Sequence, residues 1–246
     1  MAKKSVRPKS DGADRTILIN FVLDKSGSME CIREATISGF NEFKNDQGAE
    51  QGRALLTLTL FDTDFTTVCE AVPMREVPDL DRSSYAPDGL TALYDAIGRT
   101  MRITDDFVAA HRPDQVLFVI MTDGQENASR EFTRERVFEM IQDRQKLARY
   151  EFMYLGANQD SYAAGVEMGM RDGRMLDYAA TDEGSRGVIL RASNNVRAHR
   201  RRGAPMSAQF FSPAMERLGS IPVDEWQAMS PDERQRLLDE GGEKHV

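Results

Sequence analysis

The sequence predicts an α/β fold in which an open, mostly parallel sheet with one antiparallel edge strand lies between two layers of helices. Short apolar runs typical of buried strands alternate with longer amphipathic segments along most of the chain. The alternation is interrupted once, by two consecutive strand-like segments joined by three polar residues, and this pair predicts the antiparallel edge. Together these observations favour a three-layer structure with helices on both faces of the sheet.

The first half of the chain supplies a central strand, a helix and the hairpin. A near-continuous apolar run over 15–23 predicts a strand that is covered on both faces. Apolar residues at roughly helical spacing predict a helix over 29–45. Strands over 54–61 and 65–72 form the hairpin, and we interpret Asp62 and Asp64 between them as turn residues rather than as a second cation site.

The second half alternates helices with strands. The predicted helices cover 92–108, 131–149, 161–168 and 182–202, and the predicted strands cover 115–121, 151–155 and 175–179. The last helix ends in the basic run Arg197-Ala198-His199-Arg200-Arg201-Arg202. Two interpretations of this run stay open: a favourable interaction with the helix dipole and solvent, or contact with a phosphate or an acidic partner.

Polar side chains stand where two predicted strands end and where one helix begins. Asp24, Ser26 and Ser28 occupy alternate positions after the first strand, Thr91 precedes a helix, and Asp123 follows another strand. The carboxyl ends of parallel strands share one edge of a sheet, so these oxygens can converge. Two carboxylates and three hydroxyls suit a hard divalent cation such as Mg²⁺. The alternative is that Asp24 and Ser28 only cap the following helix.

The order of these segments resembles the metal-ion-dependent adhesion site of von Willebrand factor A domains. Asp24-Lys25-Ser26-Gly27-Ser28-Met29 is similar to the first loop of that site, Asp88-Gly89-Leu90-Thr91 to the second, and Thr122-Asp123-Gly124 to the third. The resemblance implies a site for Mg²⁺, with Mn²⁺ or Ca²⁺ also possible, held by Asp24, Ser26, Ser28, Thr91 and Asp123. It further implies that hydroxyls bind the ion directly, that aspartates act largely through water, and that an Asp or Glu of a partner protein fills an open position.

The composition narrows the class of protein. A net charge of −8 and a pI near 5.1 argue against nucleic-acid binding through the whole surface. Only Cys31 and Cys69 occur, so no disulfide framework is predicted. No apolar stretch reaches the length of a bilayer span, and the N-terminus lacks the apolar section of a signal peptide. We therefore expect a cytoplasmic protein without a membrane partner, similar to the compact intracellular members of the family in bacteria and phages.

Three functions stay open at this point. The first is a protein-binding module that uses its metal, and the second is an intracellular scaffold that acts through its helices and C-terminal extension, with a structural metal. The third is a metal-dependent phosphohydrolase. An enzyme is not expected, because none of the three histidines and neither cysteine falls within the metal loops. The Rossmann-like layout would also suit a nucleotide, but no glycine-rich phosphate-binding motif follows any strand.

The chain divides into three predicted parts. A flexible basic leader covers 1–14, the von Willebrand factor A domain covers 15–203, and a C-terminal extension covers 204–246. The extension is predicted to contain a short helix with Ser230 as its cap and Pro231 at its first position.

Overall fold

A computed structural model describes residues 15–157, 161–171 and 174–202, together with 229, 230, 233 and 236. The predicted leader and most of the predicted extension lie outside these residues. Within the extension, the Ser230 N–H donates to the Glu233 carboxylate at 2.7 Å, and the Glu233 N–H donates to the Ser230 hydroxyl at 3.3 Å. This reciprocal pair has the pattern of a capping box, in agreement with the prediction of Ser230 as a helix cap.

In the part of the chain that the structure describes, six strands form one sheet in the order β3-β2-β1-β4-β5-β6. The strands are β1 Thr16–Asp24, β2 Arg53–Phe61, β3 Phe65–Pro73, β4 Gln115–Thr122, β5 Tyr150–Ala157 and β6 Met175–Tyr178. All neighbouring strands run parallel except β2 and β3, which form the antiparallel edge. The predicted fold class is confirmed.

The described ranges contain five α-helices, of which four connect strands and the fifth follows β6. They are α1 Arg33–Ala49, α2 Leu93–His111, α3 Arg134–Gln145, α4 Ser161–Glu167 and α5 Asp182–Arg202. No helix of the described ranges is both long and apolar enough to cross a membrane.

Two helices begin later than the sequence predicts, each for a local reason. A 3₁₀ helix, Gly27–Ile32, precedes α1 in the segment whose serine side chains turn toward the sheet edge. The N–H groups of Glu131 and Phe132 donate to the Asp95 carboxylate at 2.9 and 2.8 Å, so they are held by α2 instead of starting α3. Helix α3 then begins at Arg134, with Thr133 as its N-cap.

The core fills both faces of the sheet. On one face, Phe21 packs edge-on against Phe40 and Phe43 of α1 at ring-centroid distances of 5.4 and 5.3 Å, and α5 extends the same cluster. On the other face, Phe118 and Phe152 stack at 4.9 Å beneath α2 and α3. Burial on both faces explains why the central strands are near-continuous apolar runs.

The basic end of α5 binds within the chain. Arg197 and Arg201 pair with the buried carboxylate of Glu50 at 2.7 Å each. Arg200 donates to the backbone carbonyl of Gln47 at 2.6 Å, and burial lowers its pKa to about 10. These residues form what we call the Glu50–arginine network, which fastens α5 to the end of α1. Neither interpretation of the basic run predicted this attachment.

Candidate metal centre

The carboxyl edge of the sheet brings the ends of β1 and β4 together. The two strands pair in parallel, with Leu23 opposite Met121, so that Asp24 and Asp123 leave neighbouring strands at the same level. Asp24 is the last residue of β1, and Asp123 directly follows the last residue of β4.

Four of the five predicted site residues form one hydrogen-bonded chain. The Ser26 N–H donates to Asp24 Oδ1 at 2.6 Å, and the hydroxyls of Ser26 and Ser28 lie 3.3 Å apart. The Ser28 hydroxyl then donates to Asp123 Oδ1 at 2.6 Å. Ser26 stands at the N-cap of the 3₁₀ helix but makes no side-chain cap, and Ser28 points to Asp123. Helix capping therefore does not account for the two serines.

Thr91, the fifth predicted residue, is buried beside the third loop. A Cβ atom on Gly124 would stand 2.8 Å from Thr91 Oγ1, so a glycine is needed for this close approach. The Thr91 N–H donates to Asn127 Oδ1 at 2.9 Å, and the Asn127 N–H donates to the Thr91 carbonyl at 3.0 Å. This reciprocal pair ties the loop before α2 to the loop after β4. We call Asp24, Ser26, Ser28, Thr91 and Asp123 the oxygen cluster.

Backbone hydrogen bonds also join the first two loops. The Gly27 N–H donates to the Gly89 carbonyl at 3.2 Å, and the Asp88 N–H donates to the Lys25 carbonyl at 2.8 Å. Gly89 has a φ of +74°, a conformation that favours glycine. All three loops are therefore cross-linked through their main chains.

The hairpin acids have structural partners. The Lys25 ammonium pairs with the Asp62 carboxylate, which also accepts the Asp64 N–H at 2.6 Å. The interpretation of Asp62 as a turn residue agrees with this geometry. The pairing also engages Lys25 away from the oxygen cluster.

Several contacts at the site were missed by the sequence reasoning. The Thr122 hydroxyl donates to Asp24 Oδ2 at 2.5 Å, and the Tyr85 hydroxyl donates to the Asp24 carbonyl at 2.6 Å. Thr122 stands in the third motif and could have been proposed, whereas Tyr85 lies in an irregular connection that carries no pattern. The Cys31 thiol, two positions after the first loop, donates to the Ser28 carbonyl at 3.3 Å.

The electrostatics of the cluster suit a cation. Burial raises the pKa of Asp24 to about 6, against hydrogen bonds from Thr122 and Ser26 that lower it. Burial also raises the pKa of Asp123. Among the residues that the structure describes, no lysine or arginine pairs with either carboxylate. Buried carboxylates are costly unless a cation or hydrogen bonds compensate them.

The donor set is made of oxygen alone, which fits Mg²⁺, Mn²⁺ or Ca²⁺ better than a soft metal. The described ranges contain no group of three or more His, Cys, Asp and Glu side chains arranged to hold an ion. Hydroxyl groups would therefore have to complete the coordination shell, as the oxygen cluster allows.

Comparison with known proteins identifies the fold of this chain through structural similarity, because the sequence comparisons found no match. No protein-family model matches the sequence, and a search of curated proteins found no match. The manganese-loaded TRAP protein of Plasmodium vivax is similar in structure, with a TM-score of 0.52, 19% identity and 74% of each chain covered. The vWF domain of the pilus tip protein Mfa5 from Porphyromonas gingivalis is also similar, with a TM-score of 0.55 and 9% identity. The similarity covers 75% of this chain and 95% of that one.

A third similar structure is proximal thread matrix protein 1 from the mussel byssus, with zinc in its metal-ion-dependent adhesion site (MIDAS) motif. Its TM-score is 0.55 and its identity 13%, with 72% of this chain and 47% of that chain covered, so this chain spans about half of its length. These likenesses show that the chain has the von Willebrand factor A fold.

Proposed function

We propose that this chain is a metal-dependent protein-binding module that captures an acidic side chain of a partner protein. Asp24, Ser26, Ser28, Thr91 and Asp123 would hold a divalent ion, with Mg²⁺ as the physiological metal. When bound, the ion supplies positive charge and an open coordination position for a carboxylate. The observation that supports this proposal is the hydrogen-bonded chain from Asp24 through Ser26 and Ser28 to Asp123, together with the backbone hydrogen bonds that tie the Thr91 loop to the loops on either side.

The surrounding contacts support this function because they orient the carboxylates without pairing them with a basic side chain of the described ranges. The Thr122 hydroxyl and the Ser26 N–H orient Asp24, and the Ser28 hydroxyl orients Asp123. Lys25, the nearest basic residue in sequence, is engaged by Asp62. Two proteins of the same fold carry manganese and zinc, which supports a divalent ion here.

The metal assignment is tested by calorimetric titration of Mg²⁺ into the wild type and two variants. We expect Asp24→Ala to abolish binding, because it removes the buried carboxylate. Asp64→Ala changes the charge by the same amount in the neighbouring hairpin turn, and it should leave binding unchanged. Equal binding by the wild type and Asp24→Ala would overturn the site.

The open-coordination function is tested separately through Thr91. Peptides selected from a random library in Mg²⁺ should carry Asp or Glu and should be released by EDTA. The resemblance to von Willebrand factor A domains implies that Thr91 contacts the ion chiefly when a partner carboxylate is bound. Thr91→Val should therefore weaken peptide binding by about 1.5 to 3 kcal/mol while affecting metal binding far less.

The opposite result selects the scaffold alternative. If Thr91→Val removes the metal but keeps the same peptides bound, the ion is structural and the partner contacts another surface.

A further inference from the structure

A cavity of about 310 Å³ lies beside the metal centre, between the start of α2, the loop after β4 and helix α4. Leu93 and Tyr94 on its wall closely follow Thr91 in the chain, and Gln125 and Glu126 closely follow the third loop. The cavity therefore adjoins two of the three loops that form the oxygen cluster.

Apolar and aromatic side chains line part of the cavity, beside the polar side chains of Gln125, Glu126 and Glu167. Leu93, Tyr154 and Met168 line it and are almost completely buried, and Tyr94 is half-buried at its side. Such walls suit the hydrocarbon portion of a long side chain, and the face of a tyrosine ring attracts a cation.

Glu126 gives the cavity a fixed negative charge. Its carboxylate accepts the N–H groups of Tyr94 at 2.9 Å, Ala128 at 2.9 Å and Ser129 at 2.7 Å, and also the Ser129 hydroxyl at 2.7 Å. Each oxygen thus has two donors, which hold the carboxylate in place. Within the described ranges no basic side chain pairs with it.

Glu167 places a second carboxylate on the cavity wall, and this one is open to new partners. It is 60% exposed, and its described partner is Arg134 at 3.5 Å. Arg134 also contacts Glu135 at 3.3 Å, so its charge is shared between two acids. Burial raises the pKa of Tyr94, and the nearby charge of Glu126 raises it further. The second effect agrees with a negative potential at the cavity.

We propose that this cavity is a second subsite, which takes a lysine or arginine side chain from the same partner segment whose carboxylate binds the metal. The hydrocarbon stem lies against Leu93 and Met168, and the charged end lies near the Tyr94 ring and Glu167. The partner class is a segment that carries an acidic and a basic residue at a fixed spacing. The pairing of the two subsites rests on the proposed function, whereas the preference of the cavity for a basic side chain does not.

The cavity is tested on the whole chain in EDTA by NMR titration with N-acetyl-lysine methylamide. The backbone amide resonances of Tyr94, Gln125 and Met168 should shift saturably. Glu167→Gln should weaken this binding by up to about fivefold, the range of a partly exposed ion pair. Glu139→Gln removes an exposed acid that pairs with Arg136 outside the cavity wall, and it should leave the binding unchanged. Absence of saturable shifts, or equal affinity in Glu167→Gln, would overturn the proposal.

An uncharged probe separates a basic occupant from an apolar one. N-acetyl-norleucine methylamide has a similar stem without the ammonium group. If it binds as tightly as the lysine probe, the cavity takes apolar side chains and the basic assignment is wrong. Clearly weaker binding of norleucine supports the proposal.

The link to the metal centre is tested by peptide selection in Mg²⁺. Wild-type protein should select an acidic and a basic residue at one spacing, and Glu167→Gln should keep the acidic preference while losing the basic one. Selection of the acid without any base would overturn the second subsite and leave the proposed function intact. If no acid is selected while the lysine probe still binds, the proposed function fails and the cavity retains its basic preference.

Discussion

Asp24 is fully buried, and its hydrogen bonds come from neutral donors at Ser26 and Thr122. Without an ion, its negative charge destabilises the fold, which is why burial raises its pKa to about 6. The metal-free folded state therefore binds a proton at Asp24 more tightly than the unfolded state does. The stability that this group contributes is fully present below its ordinary pKa of 3.8 and is lost as the pH rises through about 6.

Replacement of this charge by an amide should stabilise the metal-free protein. In EDTA at pH 7, we expect Asp24→Asn to raise the free energy of unfolding by about 1 to 3 kcal/mol, because the amide oxygen can still accept the Ser26 N–H. Denaturant titrations at pH 7 and pH 4 measure the effect, which should shrink at the lower pH. Added Mg²⁺ should stabilise the wild type alone. A variant that is less stable than the wild type in EDTA at pH 7 would contradict the cost assigned to the charge.

At the scale of the elements, close packing between a helix and a loop fixes the geometry of the third loop. Helix α2 approaches this loop at Gly98, where a Cβ atom would stand 2.4 Å from the ring of Phe132. Phe132 is buried in the core between α2 and α3 and cannot move aside. The same helix also holds the end of the loop through Asp95.

Two glycine substitutions should therefore have opposite effects. Gly98→Ala should destabilise the protein by about 1 to 3 kcal/mol through overpacking. Gly187→Ala in α5 has no atom within 4 Å of the new methyl group, so higher helix propensity should stabilise the protein by about 0.5 to 1 kcal/mol. Thermal or chemical unfolding of the two variants measures whether the free energy of unfolding falls in Gly98→Ala and rises in Gly187→Ala. Equal effects would mean that the contact with Phe132 is relieved without cost.

The Glu50–arginine network should carry much of the attachment between α1 and α5. Glu50→Gln leaves Arg197 and Arg201 without their carboxylate, and we expect a loss of about 2 to 4 kcal/mol in the free energy of unfolding. Glu42→Gln is the control, because Glu42 pairs with Arg186 across the same helices in an exposed position. It should change stability by less than about 0.5 kcal/mol. Similar losses in both variants would contradict a special role for burial.

The strands and the oxygen cluster could be predicted from sequence because each leaves a local pattern. A strand buried on both faces is an apolar run, and the cluster residues follow such runs at short spacing. Tyr85 and Asn127 could not be predicted, since their partners, Asp24 and Thr91, lie far away in the chain and only the tertiary fold brings them together. The same holds for Glu50, whose partners stand about 150 positions later.

For the molecule as a whole, the core and the oxygen cluster are separate. The two aromatic groups around Phe21 and Phe118 lie on opposite faces of the sheet, whereas the cluster lies at its edge. The fold therefore has its own source of stability in apolar burial.

Removal of the metal should leave the protein folded. An ion that binds only the native state adds stability by mass action, about 1 to 3 kcal/mol at ordinary excess. Thermal melts with Mg²⁺ and with EDTA should differ modestly, and circular dichroism in EDTA should keep its helical and strand signals. Global unfolding on chelation would show that the ion holds the fold together.

The sheet order also sets the sequence of events while the chain leaves the ribosome. The N-terminal strand β1 is central and gains its second neighbour only when β4 has been synthesised. Four of the five cluster residues have then been synthesised and Asp123 is the next residue, but α5, which shares one face of the sheet with α1, is still to come. A nascent chain at this stage presents a nearly complete ligand set above a half-covered apolar face. The uncovered part of that face is the surface that a chaperone would contact until α5 packs against it.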